Sequence, residues 1–178
     1  MSTYDKYPST IVEEGRLLKG WNVILSELSE KSGCRKIAVE CYTGVDSSTL
    51  LTKIREIPHT FLVETATLYK NEEDVRQMTA PFLKEDVLFG HFSNLILDDY
   101  FDKKKLRSLQ QQIAMLGDEE QVIVYGCGAS LVMEADLLLY ADMPRWEIQQ
   151  RMRRQEVNGL GVFNSNEPFS LQYKRGLF

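Results

Sequence analysis

Arg145, Arg151, Arg153 and Arg154 crowd into one stretch behind Pro144, and guanidinium groups so spaced can hold the oxygens of a small anion. Arg151 and Arg154 are three residues apart and share a helix face, with Arg145 projecting nearby; helix faces rich in arginine are also commonly just solvated. A second candidate anion site is Glu40 to Ser48, where Gly44 frees the backbone and Ser47 and Ser48 supply hydroxyls at a helix start. Gly44 and Ser47 also suit an ordinary turn and cap. A third is Cys127-Gly128-Ala129-Ser130, a turn that could aim backbone N–H groups at an anion or merely reverse the chain.

These residues need a frame, and the apolar pattern predicts one. Helical spacing through Leu17, Leu18, Trp21, Ile24, Leu25 and Leu28 predicts an opening helix ending near Ser32-Gly33. Lys36 to Cys41 reads as a short buried strand, Thr43 to Ser48 as turn and cap, and Thr49 to Ile57 as a helix stopped by Pro58. Phe61 to Val63 is a second strand, Asn71 to Asp74 opens an acidic-ended helix, and Val87 to Gly90 is a further strand. Asp102 caps a helix running to Leu116. Val122 to Tyr125 and Leu137 to Tyr140 complete the strands, and Pro144 starts the arginine helix. Short apolar strands alternating with helices predict an α/β fold, a three-layer parallel sheet with helices on both faces. Ligands then sit beyond the carboxyl ends of the strands, which puts Glu40, Asp46, His91, Tyr125 and Gly126 on the ligand edge.

With 178 residues and 43% hydrophobic content the chain suits a single domain, 1–178. No run is long and apolar enough for a membrane helix, the N-terminus lacks the order of a signal peptide, and the expectation is a cytoplasmic protein without a membrane partner. The net charge of −5 gives no general attraction for nucleic acid. Cys34, Cys41 and Cys127 fit no metal spacing and read as free thiols, and with only His59 and His91 no metal site is expected. Trp21 and Trp146 read as core or interface aromatics. Asp98, Asp99 and Asp102 look like an acid cluster but read as a cap and solvated neighbours.

The segments QVIVYGCGASLV and ADLLLYADMPRWEIQQRMRR resemble the C-terminal half of uridine kinase and related P-loop nucleoside and nucleotide kinases. The resemblance implies a P-loop NTPase fold, makes Arg145, Arg151, Arg153 and Arg154 lid arginines facing phosphate, and puts Tyr125-Gly126 where the family has an acidic residue and glycine. It also puts the phosphate loop at Glu40 to Ser48. A working loop needs a lysine for the phosphates and a hydroxyl for Mg²⁺. Here Asp46 falls on the lysine position and Ser47 on the hydroxyl, so the loop is degenerate; Lys53 and Lys70 are the nearby substitutes under an alternative in which the chain is an active kinase using Mg and ATP.

A second resemblance covers nearly the whole chain. YDKYPST, LKGWNVI, IAVECYTGV, APFL, DDYFD, VYGCGASL, LLLYADMPRWEIQQRMRR and FSLQYKRGLF are similar to the N-terminal region of class I mannose-6-phosphate isomerase-like proteins from Bacteroidetes. It implies a longer parent protein with a C-terminal cupin isomerase domain as partner; one open alternative is that the fold recognises a phosphorylated small molecule, mannose 6-phosphate or fructose 6-phosphate, through the arginine helix, and pure packing is the other. The expectation is a non-catalytic domain that binds such a molecule or serves a regulatory or packing role, with no cofactor of its own. FSLQYKRGLF reads as an alternating apolar segment.

Overall fold

Four short aliphatic runs are buried enough to pair with one another. In the computed structural model, which describes residues 8–9, 11, 13–30, 33–85, 91–117 and 119–175, they form β1 (Lys36–Cys41), β2 (Phe61–Glu64), β3 (Val122–Gly126) and β4 (Leu137–Ala141). All pairs are parallel, in the order β2-β3-β1-β4. Ile37 of β1 lies opposite Ile123 on one side and Leu137 on the other. β1 and β3 are buried almost throughout, as strands covered on both faces must be. β4 is an edge strand whose residues alternate between half-buried and exposed.

The helices are α1 (Trp21–Glu30), α2 (Ser47–Ile54), α3 (Glu72–Leu83), α4 (Lys103–Ala114), α5 (Arg145–Arg153) and α6 (Phe169–Arg175). On one face of the sheet Ala38, Val122 and Val124 pack with Phe101, Ala129, Val132 and the Leu106 and Ile113 of α4. On the other, Ile37, Val39, Ile123 and Tyr125 pack with Leu50 and Ile54 of α2, Ile57, and the half-buried Leu25 and Leu28 of α1. The expected α/β sheet with helices on both faces is therefore present.

Several boundaries move. The opening helix starts at Trp21, because Gly20 has a left-handed backbone and Leu17, 97% exposed, finds nothing to pack on. α2 begins at Ser47 and stops at Ile54, set by the cap at Asp46. The strand expected at 87–90 lies outside the described residues. Trp21 and Trp146 are exposed, so neither belongs to the core. The segment from Phe169 is a helix: Phe169 and Tyr173 alternate in sequence but are also four apart, and their rings stack at 5.6 Å on one helix face. α6 is tied down through Glu167, which accepts from Arg76 of α3 at 2.7 Å and from Arg175 at 3.1 Å. Burial alone would raise the Glu167 carboxyl; bonds from Arg76 and Asn164 and the charge of Arg175 outweigh it and hold it lowered.

Candidate functional site

Beyond the carboxyl ends of the strands lies a cleft of about 900 Å³, the position expected for a ligand in an open parallel sheet. Its walls are the loop 41–48 after β1, the segment 64–72 after β2, Gly126 and Cys127 after β3, and 154–163 beyond α5.

The loop after β1 is fixed by two local requirements. Gly44 has φ +89°, and a Cβ there would stand 2.9 Å from Ile148 Cγ2, so only glycine lets α5 lie against the turn. Asp46 then caps α2. Its carboxylate accepts from the Ser48 N–H at 3.1 Å, the Ser48 hydroxyl at 2.7 Å, the Thr49 N–H at 3.2 Å and the Thr49 hydroxyl at 2.6 Å. Bonds from Thr49 and then Ser48 hold this carboxyl well below the usual range. The first-turn amides that could receive an external anion are thus occupied by the chain's own carboxylate, and the Ser48 hydroxyl points at Asp46. Ser47 lies exposed on the cleft wall.

The turn after β3 is closed in the same way. Glu40 accepts from the Gly128 N–H at 2.6 Å, the Ser130 N–H at 2.9 Å and the Ser130 hydroxyl at 2.8 Å. Glu40 is therefore a brace beneath the cleft, absent from its wall, and the Gly128 and Ser130 amides have no capacity for a ligand. Gly126 does line the cleft, with φ +118° and the Thr65 hydroxyl occupying the space a Cβ would need.

Of the four arginines, Arg151 and Arg154 face the cleft, and both are already engaged. Arg151 donates to the Gly44 carbonyl at 3.2 Å and to Glu147 at 3.3 Å. Arg154 makes a two-pronged contact with Glu156, at 2.7 and 2.9 Å, and reaches Glu147 at 3.0 Å. Those carboxylates, Glu156 foremost, push the Arg154 guanidinium up. Arg153 stacks over the Phe169 ring at 4.0 Å, away from the cleft. Arg145 is exposed at the start of α5 and does not line the cleft either. The spacing that unites the four in sequence is divided because α5 presents only one face to the loop after β1.

Tyr125 and His91 also fall outside the wall. Tyr125 is buried in β3, its hydroxyl pushed up to about 12 by burial and by its neighbour Glu64. His91 is exposed, its N–H bonded to the Phe82 carbonyl at 2.9 Å. Cys34, Cys41 and Cys127 are free thiols. Burial lifts Cys41 and Cys127 to about 11, so both stay protonated near neutral pH and are poor nucleophiles. Asp98 pairs with Lys103, Asp99 accepts from the Ile96 N–H, and Asp102 caps α4. Among the described residues no cluster of three or more His, Cys, Asp or Glu could hold a metal ion, and no helix is long and apolar enough to cross a membrane.

Sequence reasoning missed Lys105 and the loop 157–163. Lys105 lines the cleft and donates to the Tyr69 carbonyl at 3.0 Å. The signal was Lys103-Lys104-Lys105 at the start of a helix, where positive charge opposes the helix dipole. Lys70 lines the cleft as well, whereas Lys53 is spent on Glu56 at 2.7 Å on the surface of α2.

A family model described as a domain of unknown function (DUF8485) matches residues 20–178. No curated protein and no solved structure matches the chain.

Proposed function

The chain belongs to the DUF8485 family, and we propose that it is a degenerate kinase-like domain that holds a phosphorylated small molecule in the cleft at the end of its sheet without transferring phosphate. The observation that carries this reading is the Asp46 carboxylate, held by four donors at the N-terminus of α2. In a P-loop kinase that helix end and the lysine of the loop bind the nucleotide's phosphates. Here a fixed negative charge replaces the lysine, and triphosphate oxygens brought to the same place would meet repulsion. Tyr125, in place of the acidic residue expected at the end of β3, is buried and offers nothing to Mg²⁺. The strand order agrees with a nucleotide-kinase ancestry, since β1 sits between β3 and β4 and its loop opens into the cleft.

Attachment to a sugar-phosphate isomerase rests on the segments similar to mannose-6-phosphate isomerase-like proteins, and it makes a sugar phosphate the natural first ligand. The domain would then sense or retain the isomerase's substrate or product, or act in packing. Titration calorimetry of the full chain with ATP plus Mg²⁺, and separately with mannose 6-phosphate, decides it. The expected result is binding of the sugar phosphate and no magnesium-dependent ATP binding. Tight ATP binding that requires Mg²⁺, with phosphate transferred to an acceptor, would overturn it in favour of an active small-molecule kinase.

A further inference from the structure

The four cationic side chains on the cleft wall are in opposite electrostatic states. Arg151 and Arg154 are neutralised by Glu147 and Glu156. Lys70 and Lys105 are not: among the described residues no carboxylate lies within ion-pair distance of either ammonium, and their partners are the Met78 sulfur at 3.9 Å and the Tyr69 carbonyl at 3.0 Å. We propose that Lys70 and Lys105 are the anion-recognising end of the cleft and that their ligand is a phosphomonoester. This rests on the reading that the cleft holds a phosphorylated small molecule, and it moves the phosphate contact away from the arginine helix and the loop after β1.

Four observations support the assignment. An ammonium has three donors; Lys105 commits one to a carbonyl and Lys70 one to a weak sulfur acceptor, so most of the donor capacity of these two cleft-lining residues is left for a ligand or water. Two positive charges outside any close ion pair, Lys105 feeling the Asp102 carboxylate only at longer range, match the double negative charge of a phosphomonoester better than the single charge of a carboxylate. The backbone between them is clamped as well. The Lys70 N–H donates to the Tyr100 carbonyl at 2.9 Å and the Asp102 N–H to the Leu68 carbonyl at 2.9 Å. Tyr69 is buried edge-on against Phe101 with centroids 5.1 Å apart. Donors on a fixed base lose less freedom on binding. The placement is also unfavourable for the fold alone, since α4 carries lysines and no acid in its first turn beyond the Asp102 cap.

The test uses the full chain and two probes, mannose 6-phosphate and inorganic phosphate. Lys70→Met with Lys105→Met should lower affinity for mannose 6-phosphate tenfold or more, Lys70→Arg with Lys105→Arg should retain most of it, and Arg154→Met should change it less than twofold. Amide shifts of the wild-type chain, which need no variant to fold, should respond to inorganic phosphate around 68–71 and 103–106 and stay still at 47–49. The assignment is overturned if the double Met variant binds as the wild type does, or if the shifts cluster at 47–49 or along α5; the reading of the cleft would then survive. Absence of binding to both probes by the wild type overturns the reading and the assignment together.

Discussion

α5 and the start of α4 are both basic, and they teach opposite lessons about what positive charge is for. α5 carries Glu147 in its first turn and Arg151 and Arg153 in its last, the arrangement that complements a helix dipole. Each cleft-facing arginine has an acidic partner there, and Arg151 ties the helix to the Gly44 carbonyl. α4 places lysines where the dipole opposes them and leaves Lys105 with only a carbonyl. Charge that agrees with its helix and finds carboxylates is explained by the fold. Charge that does neither, as at Lys105, is what the proposed phosphate contact would use.

If α5 is a structural strut, its packing should matter more than its arginines, and Ile148 is the residue to remove. It is buried, against the glycine turn that a Cβ would crowd. Ile148→Ala should cost about 2–5 kcal/mol of stability, as buried aliphatic truncations do, measured as a lowered urea midpoint with an unchanged slope. A loss comparable to that of a surface substitution would break the comparison, because α5 would then need some other reason to be there. Gly44→Ala should act in the same direction, through strain at φ +89° and contact with the same side chain.

The sheet was legible because β1 and β3 are short aliphatic runs bounded by polar turns, and burial on both faces writes itself into composition; β4 is an equally aliphatic run although it lies at the edge and is half-exposed. The Asp46 cap and the glycine turn were legible too, being local. The arginine cluster was legible only in part, Arg151 and Arg154 reaching the cleft wall and Arg145 and Arg153 not, because which face of α5 meets the cleft depends on Ile148 and Met152 entering the core, and because Glu147 and Glu156 turn back on the arginines from positions no motif marks. Lys105 was hidden for the same reason: its neighbour Lys70 is 35 positions away in sequence and meets it only through the bridge between Tyr69 and Phe101. Glu40 stands near the carboxyl end of β1, where strand position puts it, but its side chain lies under the next turn and off the cleft wall, which a strand rule does not resolve.

The next effect down concerns that brace. Glu40→Ala leaves two amides of the turn after β3 without their acceptor and should cost about 1–3 kcal/mol, read from the same urea curve. It should also free an anion site near the cleft, so inorganic phosphate would acquire a second set of amide shifts around 128–130. Stability loss without such shifts would confine the role of Glu40 to the fold and sharpen the case for the lysines.

Asp46 gives a smaller effect with a pH signature. Its folded-state carboxyl is depressed, so its contribution is fully present above the unfolded value near 3.9 and is lost as pH falls through the folded one. Asp46→Asn keeps a good cap while removing the charge, whereas Asp46→Ala should cost about 1 kcal/mol. Denaturation curves between pH 5 and 2 should therefore be less pH-dependent for the Asn variant. The same variant should bind inorganic phosphate more tightly, since the helix end is no longer closed by a carboxylate. Unchanged phosphate affinity would mean that the cap is not what keeps anions from the loop after β1.

The smallest effect expected is at Arg154, and it is the most direct probe of the contrast between the two regions. Arg154, Glu147 and Glu156 form an exposed group in which one guanidinium serves two carboxylates, and such contacts at the surface contribute little because water and salt compete for every partner. Arg154→Ala should leave the urea midpoint within error. It should also leave mannose 6-phosphate affinity within twofold, because the charge at Lys70 and Lys105 is untouched and water and salt screen the exposed carboxylates that lose their partner. Glu156→Gln reverses the logic: it releases Arg154 from its two-pronged partner and should slightly strengthen phosphate binding at low salt, an increment that vanishes near 1 M salt. A large loss of ligand affinity in Arg154→Ala at an unchanged midpoint would reverse the assignment, making the arginine helix the recognition element and the lysines its surroundings.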